Sequence, residues 1–200
     1  CVKTEGSYEE WLTLAKKVRA GNSVISRIML AASFASVIVQ PMDALPFLVH
    51  AWGNSGNGKT VGLILAASVW GKPNTGEYCH TFNGTTVGHE HLAAFCGNLP
   101  LCLDELQCVK GKHQNKFDEL VYMLCEGVGR TRGARYGGLQ KTTTWRNCTI
   151  STGEMPITTG SSGTGAVNRV IELDCQGEQL FENPREIVSI LTKNYGHAGK

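Results

Sequence analysis

The chain has 200 residues, 42% of them apolar and 18% charged, with a net charge of +2. That length suffices for one compact domain with a real core. The near-neutral balance excludes binding to nucleic acid or membrane through overall charge, so any basic site must be local. The chain opens at Cys1 and lacks the basic-then-apolar order of a signal peptide, so a piece of a longer cytoplasmic protein is expected.

Residues 8–20 place Trp11, Leu12, Leu14, Ala15 and Val18 among charges, the pattern of an amphipathic helix. Gly21-Asn22 ends it, and Ser23 can cap the next helix. The apolar stretch 24–39 is interrupted by Ser26, Arg27, Ser33 and Ser36. It is too short and too polar to span a membrane, and predicts a buried helix. Pro41 and Pro46 bracket a link to an apolar run at 47–52, read as a buried strand.

Residues 53–60 then read Gly53-Asn54-Ser55-Gly56-Asn57-Gly58-Lys59-Thr60, a full G-x-x-x-x-G-K-[ST] phosphate loop. Its glycines let successive N–H groups converge on phosphate oxygens, and the helix predicted to start near Lys59 adds its positive dipole end. Lys59 can reach the β- and γ-phosphates of ATP, and the Thr60 hydroxyl can ligate Mg²⁺. Val61 opens the apolar helix that follows. A glycine-rich surface turn would match the loop alone, but not the strand before it and the helix after it.

Downstream, 78–82 predicts a short strand, 86–96 a helix and 99–103 a buried strand with Pro100 near its start. That strand delivers Asp104 and Glu105 to the sheet edge where ligands bind in open α/β folds. Asp104 can hold Mg²⁺ and Glu105 can activate a water, whereas a merely solvated acidic pair would not need the phosphate loop upstream. A helix is predicted at 116–126, a glycine-broken hairpin at 128–146, and a strand at 147–152. A flexible loop follows at 153–168, then a strand at 170–173 and a last helix at 183–194. The alternation predicts a parallel α/β sheet.

Eight cysteines include no C-x-x-C pair, and several lie in apolar runs, as expected of free thiols in a reducing cytosol. The cluster Cys79, His80, His89, Glu90 and His91 hints at zinc but lacks a second cysteine pair, and a helix sets His89 and His91 on different faces. From 127 to 153 no acid occurs, while Arg130, Arg132, Arg135, Lys141 and Arg146 do. With Tyr136 and Trp145 as aromatic surface, Arg130, Arg132, Arg135 and Lys141 are candidate contacts to single-stranded DNA. A solvated hairpin, or one that binds a neighbouring subunit, is the plainer alternative.

One strand-helix unit lies between the phosphate loop and the Asp-Glu strand. At that point the chain resembles the AAA+ ATPases, which carry an additional catalytic glutamate. More narrowly it resembles the helicase-like ATPases of phages and mobile genetic elements grouped as a domain-of-unknown-function family, nine-two-seven, themselves similar to MCM and viral replication helicases. The stretches LPFLVHAWGNSGNGKT, LPLCLDEL, ISTGE, NRVIEL and NYGHAG carry the resemblance across residues 45–199. It implies an AAA+-type P-loop NTPase over a 45–200 core, a parallel sheet flanked by helices with a pre-sensor β-hairpin; the residues before it, 1–44, read as a helical segment packed on that core. It implies a water-positioning group at the tip of strand 147–152, with Ser151, Thr152 and Glu154 as the choices. It also implies that Arg169, in Asn168-Arg169-Val170, is an arginine finger acting on a neighbour in a homo-oligomeric ring, with a hexamer as the expectation. The function implied is an ATP-hydrolysing DNA helicase or translocase motor, with an ATPase that remodels protein complexes as the alternative.

Overall fold

The computed structural model describes residues 2–105, 114–158 and 168–198. Two helices come first, α1 (Tyr8–Ala20) and α2 (Val24–Ala35). Ser7 and Ser23 cap them by accepting hydrogen bonds from the amides of Glu10 and Ser26. The predicted 24–39 helix stops at Ala35 and tightens into a 3₁₀ turn, Ser36–Ile38. The Ser36 hydroxyl fixes that turn by donating to the Asn98 carbonyl and accepting from the Cys148 amide.

The sheet consists of β1 (Phe47–Trp52), β2 (Cys79–Thr81), β3 (Leu101–Asp104), β4 (Cys148–Gly153) and β5 (Val170–Asp174). Its order is β2-β3-β4-β1-β5 and every pairing is parallel. Parallel strands require crossovers, and α3 (Lys59–Ser68), α4 (Thr86–Cys96) and α5 (Gln114–Glu126) supply them. A last helix, α6 (Pro184–Leu191), is shorter than the predicted 183–194. It ends early because the chain reverses: Tyr195 pairs with Glu5 in an antiparallel bridge, and Asn194 accepts from the Ser7 amide.

Each strand divides its side chains between two faces, as period-two geometry demands. Val49, Ala51, Cys102, Cys148 and Ile150 pack with α1, α2 and α3 in one buried cluster. Leu48, Leu101 and Leu103 pack with residues of α4, α5 and Trp145 in the other.

Residues 128–146 do form a hairpin, but its arms meet at two isolated bridges, Val128 with Thr144 and Gly133 with Leu139. Glycines at 129, 133, 137 and 138 give a ladder little side-chain support. Trp145 is not the aromatic surface expected. It is 2% exposed, and its indole N–H donates to the Leu124 carbonyl at 3.0 Å, pinning the hairpin's base to α5. Tyr136, at the tip, is 93% exposed. Among the described residues no helix is long and apolar enough to cross a membrane. The six described cysteines are free thiols, and burial pushes Cys125 up to about 12 and Cys96 up to about 11.

Candidate nucleotide site

The site lies at the C-terminal edge of the sheet, where β1, β3 and β4 end side by side. β1 runs into the glycine loop and α3 begins at Lys59, so the loop sits on the N-terminus of a ten-residue helix. Gly58 has φ of +90°, and a Cβ there would come within 3.1 Å of the Phe181 ring. Only glycine combines that left-handed turn with so close a neighbour. A second tether holds the loop from the β5–α6 link: the Leu180 amide donates to the Asn57 carbonyl at 3.0 Å, and the Asn57 side chain donates to the Cys175 carbonyl.

Lys59 is 8% exposed, and its ammonium donates to the carbonyls of Gly53 at 2.9 Å and Asn54 at 2.6 Å. The loop thus holds the lysine head group at its own mouth. A cleft of about 340 Å³ opens beside it, lined by Ser55, Gly56, Gly58, Lys59, Thr60 and Val61 from the loop and helix. Asp104, Glu105, Thr152, Gly153, Glu154 and Pro184 form its other walls.

The sheet order explains this convergence. β4 lies between β3 and β1, so its tip separates the phosphate loop from the Asp-Glu strand. Leu103 is level with Ser151, which sets Asp104 on the same face as Thr152. The Thr152 hydroxyl donates to Asp104 Oδ1, which also accepts the Glu105 amide at 2.9 Å. Ser151 points to the opposite face. It is fully buried, with its hydroxyl 2.9 Å from His50 Nδ1, and does not line the cleft. Of the three choices at this tip, the structure brings Thr152 and Glu154 to the cleft and turns Ser151 away. Glu105 adopts φ of +60°, a left-handed conformation that costs a non-glycine residue about 1 kcal/mol or more.

Arg169 lies elsewhere. It directly precedes β5, and its carbonyl accepts from the Leu48 amide, placing it at the opposite edge of the sheet from the cleft. Its guanidinium turns inward and donates to the Cys125 carbonyl at 2.9 Å, in the last turn of α5. A cation there is worth about 0.3–1 kcal/mol, small enough to be exchanged for a stronger partner.

The basic hairpin carries less open charge than its sequence promises. Arg132 makes a two-pronged contact with Glu90, at 2.8 and 2.6 Å, and Thr143 donates to the same carboxylate at 2.7 Å. The Glu90 side chain is fully buried, so Arg132 anchors the hairpin to α4 instead of facing outward as expected. Arg130 pairs with Glu119, but both side chains are about half exposed. Such a pair is worth about 0–1 kcal/mol and can be given up, whereas breaking a buried one costs about 3–5 kcal/mol. Arg135 and Lys141 are exposed, Arg135 lying 5.7 Å from the centre of the Tyr136 ring. Among the described residues no group of three His, Cys, Asp or Glu side chains is placed to hold a metal, the Cys79–His91 cluster included. Sequence reasoning missed Glu90 and His50 as polar anchors. Their signal was a charged or titratable residue amid apolar positions of a helix and a strand.

Fold and cleft together define an α/β protein built like a helicase P-loop NTPase. The chain belongs to the family described as Domain of unknown function (DUF927), matched over residues 2–145. That match takes in α1 and α2 and ends before β4. The fold is similar to that of a solved structure described as SCCmec type IV Cch, an active helicase, with a TM-score of 0.75 at 23% identity over 98% of this chain. The chain spans 36% of that protein's length. A JCV helicase solved with a bound small molecule overlays at a TM-score of 0.34 and 12% identity, covering 92% of this chain and 58% of its own, too loosely to bear on the fold. No curated protein matches the sequence.

Proposed function

We propose that this chain is the ATP-hydrolysing motor core of an oligomeric DNA helicase or translocase of a phage or mobile genetic element, working in the cytoplasm. One observation carries the reading: Lys59, Thr60, Asp104, Glu105 and Thr152 line a single cleft on a glycine loop at a helix N-terminus. Residues 45–200 would be the ATPase core, with 1–44 packed on it.

In this reading the amides of the loop cradle the β- and γ-phosphates of ATP, and Lys59 exchanges its two carbonyl partners for phosphate oxygens. The donor set suits Mg²⁺, which takes one or two protein oxygens and completes its shell with phosphate and water. Thr60 and Asp104 would hold it, and when bound it offsets the charge on the phosphates. Glu105 orients and deprotonates the attacking water. Thr152, through Asp104, sets the distance between the two halves of the cleft. The test is Mg²⁺-dependent ATP hydrolysis by the assembled protein, measured with and without single-stranded DNA. Stimulation by the strand supports a motor, and its absence at full ATPase activity favours the protein-remodelling alternative.

Arg169 would leave the Cys125 carbonyl for a neighbour's γ-phosphate. Mixing Arg169→Ala with Lys59→Ala subunits is expected to restore part of the hydrolysis that each lacks alone, because some interfaces regain both parts. Arg169→Ala assemblies that hydrolyse ATP like the wild type would leave the arginine as a helix cap only.

Contact with DNA falls chiefly on Arg135, Lys141 and Tyr136, with Arg130 available at small cost. Replacing Arg135 and Lys141 with alanine is expected to lower single-strand affinity for all sequences alike. The slope of log K against log salt should flatten by about 0.7 for each phosphate that is no longer neutralised. ATP binding should be unchanged. An unaltered affinity and slope would remove DNA from this hairpin and raise the remodelling reading.

A further inference from the structure

Three polar side chains stand level across neighbouring strands, Ser151 of β4, His50 of β1 and Glu172 of the edge strand β5. Adjacent partners in a parallel sheet point to the same face, here the one covered by α4 and α5. His50 is fully buried in an otherwise apolar strand that runs into the phosphate loop. Ser151 is buried beside it and Glu172 is half-buried, and buried polar groups are costly unless their polar atoms are used.

Its bonds lead to one segment. After Gly153 the chain turns back over this face, and Ile157 buries itself in the α4–α5 cluster. His50 Nε2 lies 3.0 Å from the Met155 carbonyl, and Nδ1 lies 2.9 Å from the Ser151 hydroxyl. A carbonyl only accepts, so Nε2 carries the proton and Nδ1 accepts from Ser151. Three residues on, Glu172 accepts from the Thr158 amide at 2.8 Å and from the Thr158 hydroxyl at 2.7 Å. The segment 154–158 is thus a strap gripped at two points. Its first residue, Glu154, lines the cleft with Lys59, Thr60 and Glu105.

We propose that His50 and Glu172 are positioning residues for the nucleotide cleft: they clamp the 154–158 strap so that Glu154 and the tip of β4 keep their place opposite the phosphate loop. The inference rests on the proposed ATPase function. The strap's grip lies on the face away from α3, so loosening it alters the cleft edge without touching Lys59, Thr60 or Asp104.

The test uses the full chain with Glu172→Gln, Thr158→Val and the pair combined. Glutamine keeps the size of Glu172 but loses one charged acceptor, and valine keeps the shape of Thr158 without its hydroxyl. Amide exchange across 154–158, read without nucleotide, is expected to quicken about tenfold in each variant, the loss of one charge-assisted hydrogen bond. Turnover should fall about tenfold at a KM and nucleotide Kd within about twofold of the wild type. The double variant should be no worse than the poorer single one, since both cut the same tie. Faster exchange with unchanged turnover would overturn the proposal, leaving the strap as packing alone. A Kd that rises as turnover falls would overturn it as well, pointing to general loosening of the site. A wild-type protein that binds ATP without hydrolysing it would defeat the proposed function first, and the exchange data would still show separately whether the strap is clamped.

Discussion

Glu105→Gln is expected to bind ATP as the wild type does and to lose turnover by about 10²- to 10⁴-fold, the usual contribution of a positioned general base. The expectation follows from where the side chain stands. Glu105 is the first residue past β3, lines the cleft, and has its amide tied back to the Asp104 carboxylate. That tie and the left-handed turn at φ +60° aim the side chain differently from Asp104, as the separate tasks proposed for the two carboxylates require. Glutamine preserves shape, turn and backbone contact and removes only the ability to take a proton. Binding of a fluorescent ATP analogue and steady-state phosphate release separate the two effects. Hydrolysis by Glu105→Gln at the wild-type rate would remove the assigned base.

The second large effect is on stability. Arg132→Ala strips the paired cation from a fully buried carboxylate, Glu90, which keeps the hydrogen bond from the Thr143 hydroxyl. Removing the arginine leaves that carboxylate without its counter-charge, so the variant is expected to melt several degrees below the wild type. Replacing both partners with leucine should recover much of the loss, because no unpaired charge is left behind. The pH dependence has a definite sign. The Arg132 guanidinium, helped by Thr143, holds the Glu90 carboxyl down at about 2, below the ordinary carboxylate value of about 4.3. A folded-state value below the unfolded one stabilises above the unfolded value and is lost as pH falls from about 4.3 towards 2. Urea unfolding at pH 7 and pH 3 should therefore show the wild type losing this contribution in acid, while Arg132→Ala, already without it, changes less. Equal stabilities of wild type and Arg132→Ala at pH 7 would contradict this account.

Arg132 also shows where sequence reasoning runs out. Arg130, Arg132, Arg135 and Lys141 look alike along the chain, four basic residues in an acid-free stretch. Their partners come from elsewhere: Glu90 is 42 residues upstream on α4, and Glu119 is on α5. Nothing local separates the anchoring arginine from the ones facing solvent. Trp145 misleads for the same reason, since its environment is made by Leu124 and the base of the hairpin.

The sequence by itself determined the glycine loop, the strand before it, the helix after it, and the place of the acidic pair that follows. Each is a local rule: glycine where the backbone must turn left-handed, apolar runs where a strand is buried on both sides, polar residues where it emerges. The alternation of strands and helices determined a parallel sheet in the same way. Only the tertiary structure decided which strands are neighbours, and that decision makes the site. Inserting β4 between β1 and β3 puts its tip in the cleft, and a register of Leu103 with Ser151 gives Thr152, not Ser151, to Asp104. Register is a two-residue period set by contacts between segments some 50 residues apart, so a shift of one would exchange the two hydroxyls. The same row across the sheet joined Ser151, His50 and Glu172, three residues whose sequence neighbours say nothing of one another.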